Sequence, residues 1–121
     1  MLDKKQALNS FWSSFGLTAY DETSVPDTAV MPYLTYEVTT SDFGSQISLS
    51  ASLWYRATGW TDIVAKEKEI HDYISRGGVY INYDGGAIYI ARAENWSTQM
   101  ADASDEYVRR IILNVDVEFI D

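Results

Sequence analysis

The sequence predicts an α+β fold, a mostly antiparallel sheet of about five strands with two helices packed on one face, in a single domain over residues 1–121. Three observations carry this. Two segments, near 3–16 and 61–76, repeat apolar residues at three- and four-residue spacing. Two others, 46–56 and 107–120, alternate apolar and polar residues in the period of a half-solvated strand. The strands come in groups between the helices rather than alternating with them, which is the order of an antiparallel sheet under a helical layer.

The first helix places Leu8, Phe11, Trp12 and Phe15 on one face. Asp3 and Gln6 have the spacing of a capping box, and Gly16 is the expected left-handed stop. Residues 17–31 lose the period and carry Asp21, Glu22, Ser24, Pro26 and Asp27, so they read as an exposed connector. After Pro32, Leu34, Tyr36 and Val38 alternate with Thr35 and Glu37 as a strand.

Following a turn at 41–45, Ile47, Leu49, Ala51, Leu53 and Tyr55 share one side of the longest clean alternation. Gln46, Ser48, Ser50, Ser52, Trp54 and Arg56 share the other. Thr61 or Asp62 is expected to cap the second helix, whose stripe is Ile63, Ile70 and Ile74 with Val64 and Tyr73 flanking, and Gly77-Gly78 to end it. Residues 79–83 and 87–92 read as a hairpin about Asp84-Gly85-Gly86. The closing strand sets Arg109, Ile111, Leu113, Val115, Val117 and Phe119 against Arg110, Ile112, Asn114, Asp116 and Glu118.

Composition narrows the chemistry. Nine Lys and Arg against eighteen Asp and Glu give a net charge of −9, which opposes charge-driven binding to nucleic acid. The chain has no cysteine, so disulfides, thiolate zinc sites and thiol nucleophiles are excluded. No apolar stretch approaches the roughly 18 residues needed to span a bilayer, and a cytoplasmic chain is the simplest expectation. His71 is the single histidine, so one chain cannot build a multi-histidine metal site, and a partly exposed histidine at the edge of the apolar stripe is expected.

No glycine-rich loop opens a helix, so a phosphate cradle is not expected. Carboxylates are abundant, at Glu67, Glu69, Asp72, Asp84, Glu94, Asp102, Asp105 and Glu106, but no arranged pair stands out. The run Asp102, Asp105, Glu106 lacks EF-hand spacing and reads as a solvated acidic loop.

The aromatics are more informative. Trp54 lies on the polar face of its strand, Trp60 just before a helix and Trp96 in a predicted loop. With Tyr33 and Arg56 they form the candidate interface set, because aromatics and arginine are enriched at interface cores. The competing expectation is that the loops fold back over these rings.

The chain resembles the tail terminator family of long-tailed bacteriophages, the small tail-completion proteins often called minor capsid proteins. The resemblance runs through Gln6-Ala7-Leu8-Asn9-Ser10-Phe11-Trp12, Met31-Pro32-Tyr33-Leu34-Thr35-Tyr36-Glu37-Val38, the serine-alternating strand, the helix of 61–76, and Arg110-Ile111-Ile112-Leu113-Asn114-Val115-Asp116-Val117-Glu118-Phe119. It implies a non-enzymatic virion protein without cofactor or metal. Such a protein forms a homo-oligomeric ring, commonly a hexamer, at the head-proximal end of the tail tube.

The implied partners are other copies of the chain, the tail tube protein and the head–tail connector. DNA would pass through without specific binding, and no membrane is involved. An acidic lumen that repels phosphates agrees with this. Other head–tail connector or head-completion proteins, a small acidic inhibitor that mimics DNA charge, and a carboxylate-dependent hydrolase stay open at this point.

Overall fold

The computed structural model describes residues 3–39, 46–101 and 104–120. The turn expected at 41–45 and Asp102 of the expected acidic loop lie outside the described residues.

Helix α1 spans Lys4–Ser13. The Gln6 amide donates to Asp3 Oδ1 at 2.8 Å and the Asp3 amide to Gln6 Oε1 at 2.9 Å, closing the expected capping box. Beyond the helix Gly16 takes φ 84°, and Lys66 donates to the Phe15 carbonyl at 2.7 Å, so the carbonyl just past the C-cap is satisfied from a second element. Leu8, Phe11, Trp12 and Phe15 are all buried.

Strand β1, Thr18–Asp21, lies inside the segment expected to be a connector. It runs parallel to β2, Tyr33–Tyr36, with Ala19 opposite Leu34. Four residues are too few to display a period, and their pairing depends on a strand a dozen residues away. Asp21 then accepts from the Thr23 amide and hydroxyl, turning the chain out of the strand.

β3 is Gln46–Arg56, β4 Val79–Tyr83, β5 Gly86–Ala101 and β6 Val108–Ile120. The six strands form one curled, mixed sheet in the order β1-β2-β3-β6-β5-β4. The sheet is mostly antiparallel, as expected, with β1–β2 its one parallel pair among the described strands, but it has six strands rather than about five. The helices divide the sheet between them. α1 touches both edge strands, β1 and β4, whereas α2, Thr61–Tyr73, lies against the central strands β3 and β6.

Two boundaries differ from expectation. α2 stops at Tyr73 rather than near 76, because Ile74 leaves helical geometry with ψ 81° to bury its side chain completely. Its N-cap is Trp60, without a side-chain capping bond, so neither Thr61 nor Asp62 plays that part. In the hairpin only Gly85 has a positive φ, 102°, and Tyr83 pairs with Gly86.

β5 continues nine residues beyond the expected 87–92, to Ala101, by way of an irregularity between Arg92 and Ser97. Arg92 opposes Val115, yet Ser97 opposes Leu113, so extra residues enter on the β5 side and the alternation changes parity. Before the break even-numbered Ile88 and Ile90 face the core; after it odd-numbered Ser97 and Gln99 lie on that side.

The core cluster is filled from the alternations read above: Leu34 and Tyr36, Leu49, Ala51 and Leu53, and Ile111, Leu113, Val115, Val117 and Phe119, with both helices. The two longest alternations thus predict the buried face of β3 and β6. The opposite face, turned away from this cluster, is called the outer face below.

Candidate functional site

A cross-strand row of large side chains runs over the outer face. Tyr33, Trp54, Arg110 and Met100 are successive register partners on β2, β3, β6 and β5. Tyr20 on β1 extends the row, its ring 5.7 Å from that of Tyr33 at 80°, an edge-to-face contact. The Tyr33 and Trp54 centroids are 6.4 Å apart, and the Arg110 guanidinium carbon lies 4.5 Å from the centre of the Trp54 ring.

Behind the row two hydroxyls are nearly sealed, Thr35 at 8% and Ser52 at 4% exposure. Each has a partner from the row. Trp54 Nε1 donates to Thr35 Oγ1 at 3.0 Å and Arg110 Nε donates to Ser52 Oγ at 3.1 Å. The buried hydroxyls therefore hold the indole and the guanidinium in place rather than remaining as desolvated polar groups. Trp54 and Arg110 keep part of their surface in solvent and border a cavity of about 200 Å³ with Met100 and Ala101.

Of the expected interface set, Tyr33 and Trp54 belong to this row. Arg56 is on the same side of β3, exposed, and pairs with Asp105 at 2.9 Å. Trp60 and Trp96 do not join it. Both pack against the core cluster, Trp60 beneath the Arg109 guanidinium at 5.4 Å.

Trp96 lies within β5 rather than in a loop, and its Nε1 donates to Glu67 Oε1 at 2.7 Å. These two rings are covered by packing against the core and by side chains of neighbouring helix and strand residues, Glu67 and Arg109, rather than by loops folding back over them. Arg110, Thr35, Ser52, Tyr20 and Met100 were not singled out from sequence. The alternations do place Arg110, Thr35 and Ser52 on polar faces, but only strand register brings them beside Trp54.

A second polar cluster joins α2 to β5. Glu67 Oε1 also accepts from Ser97 Oγ at 3.0 Å. His71 Nδ1 lies 3.0 Å from Asp72 Oδ1 and its Nε2 meets Arg92 Nη1. Since a guanidinium only donates, geometry assigns Nε2 as acceptor and Nδ1–H as the donor to Asp72. The Lys68 ammonium, and then His71, hold the Asp72 carboxyl below the usual carboxylate range. Both ring nitrogens are thus engaged, Nδ1 within α2 and Nε2 across to β5, and the side chain stays partly exposed at the helix edge, as expected.

Among the described residues no group of three or more His, Asp or Glu side chains is placed to hold a metal ion, and no helix is long and apolar enough to cross a membrane. Comparison with protein-family models, with curated proteins and with solved structures finds no significant match.

Proposed function

We propose that this chain is a structural, non-enzymatic ring subunit of a long-tailed phage, seated at the head-proximal end of the tail tube, where it stops tube polymerisation and joins the tail to the head connector. One observation supports a contact role most directly. The outer face carries a pre-ordered row of Tyr20, Tyr33, Trp54 and Arg110 that the chain's own core does not use. Rings and guanidinium already held by register and hydrogen bonds lose little freedom on docking, which is what makes such residues effective at interfaces.

The sequence resemblance supplies the particular assembly. A net charge of −9 suits a subunit past which DNA must slide without adhering. Heterologous contacts that close on themselves generate such a ring.

The test is assembly and rescue. Purified protein, alone and mixed with tail tubes, is examined by native mass spectrometry and electron microscopy, and tails lacking their terminator are supplemented with it. Closed rings on tube ends and restored head joining are expected. A stable closed dimer as the sole assembled species, or failure to restore joining, overturns the proposal.

A further inference from the structure

Arg110 is a guanidinium that spends one of its five N–H donors within the chain. Nε is spent on Ser52 and one face is stacked on Trp54, but Nη1 and Nη2 have no hydrogen-bond partner among the described residues. Arg110 borders the cavity of about 200 Å³ that Met100, Ala101 and Trp54 also line. A planar fork fixed at its base beside apolar walls fits a carboxylate with an adjoining aliphatic group.

We infer that this cavity takes a carboxylate from residues 22–32 of a second copy of the chain. Charge complementarity points to the chain itself, which has two acidic residues for each basic one. Many of its carboxylates are already engaged: Asp3 caps α1, Glu37 accepts from the Ser50 amide, Glu67 holds Trp96, and Glu69 and Asp72 pair with lysines. The segment 22–32 combines Glu22 and Asp27, two carboxylates without an ion pair among the described residues, and Val30, whose 79% exposure is the greatest of any large apolar side chain described.

Val30 at that exposure is not seated on its own chain's cavity. The segment joins β1 to β2, whereas Arg110 lies on β6, three strand spacings from β1 and two from β2, or about 14 and 9 Å at ordinary strand spacing. Donor segment and receiving cavity are different stretches of the surface, which a head-to-tail contact, the kind that closes rings, requires. The contact rests on the ring reading above and adds its chemistry.

The absence of native cysteine makes the contact directly testable. A Met100→Cys variant and a Val30→Cys variant are mixed and oxidised with copper phenanthroline, and the disulfide-linked dimers are counted by mass spectrometry. Mixed dimers are expected to exceed either like pair by about tenfold, and to fall by about tenfold when the Met100→Cys partner also carries Arg110→Gln. Because Arg110→Gln touches a half-buried site, the second arm places Glu22→Gln and Asp27→Asn in the Val30→Cys partner, at exposed positions, with the same loss expected.

A statistical mixture of dimers overturns the contact. So does a disulfide within one chain of a Met100→Cys, Val30→Cys double variant, or trapping that survives carboxylate removal but is abolished by oligothymidine. Imaging the same samples separates the two readings. Rings without selective trapping reject this contact and leave the ring; selective trapping without rings on tails keeps the contact and rejects the tail assignment.

Discussion

Arg110 and Trp54 face each other in direct register between β6 and β3, the guanidinium carbon 4.5 Å from the ring centre. A cross-strand pair of this kind is stabilised by the ring quadrupole in addition to its packing. A double-mutant cycle with Trp54→Phe and Arg110→Gln, read from urea melts, is expected to give a coupling of about 0.5–2 kcal/mol. Additive effects would show that the hydroxyls Thr35 and Ser52, and not the stacking, hold the two side chains.

Phe11 is 4% exposed and packs edge-on against Trp12 and Phe15, with centroids at 4.9 and 5.4 Å. Truncation to Ala leaves a cavity between α1 and the curled sheet, and a loss of about 3–5 kcal/mol is expected in equilibrium unfolding. A loss below about 1 kcal/mol would mean that α1 contributes little to the isolated fold.

Two glycines with positive φ separate backbone strain from steric overlap. Gly85, φ 102°, has open space where a Cβ would sit, while at Gly78, φ 78°, a Cβ would lie 2.5 Å from the Tyr89 hydroxyl. That ring is tethered, since Tyr89 donates to the Gly77 carbonyl at 2.7 Å. Gly85→Ala is expected to cost about 1–2 kcal/mol from backbone strain alone, and Gly78→Ala more. In a Tyr89→Ala background the excess at Gly78 should vanish, and its persistence in melting curves would contradict the overlap.

Asp72 titrates lower in the folded chain than in the unfolded one because Lys68 and His71 favour its ionised form. A depressed carboxyl stabilises the fold above its unfolded pKa and stops doing so as pH falls through the folded value. Asp72→Asn should therefore be less stable than the parent at about pH 7, and the difference should shrink as pH falls below the ordinary carboxylate range. A difference that persists in acid would assign the effect to packing rather than charge.

Much of the fold is legible in period. Alternation over 46–56 and 107–120 names the core side of β3 and β6, since the pleat has a strict two-residue repeat and one face must be buried. The capping box at Asp3 and Gln6 is equally local, as its two bonds span three residues. Tyr33 and Trp54 were also recognisable as large rings on polar faces.

β1 was not legible, because a four-residue parallel edge strand owes its existence to Tyr33–Tyr36 rather than to its own pattern. Trp96 was misplaced for the same reason: its environment comes from Glu67 on another element.

The sequence by itself determined which residues within each long strand and helix lie together, because local geometry repeats every two or 3.6 residues whatever the partner. Tertiary structure alone decided which strands are neighbours, and so which side chains meet on the outer face. Arg110 reaches Trp54 through the β3–β6 register. Met100 joins them because the irregularity between Arg92 and Ser97 reverses the parity of β5 and turns the even-numbered side chains beyond it outward. Register is set by the whole sheet burying its apolar face at once, a condition that no single segment contains.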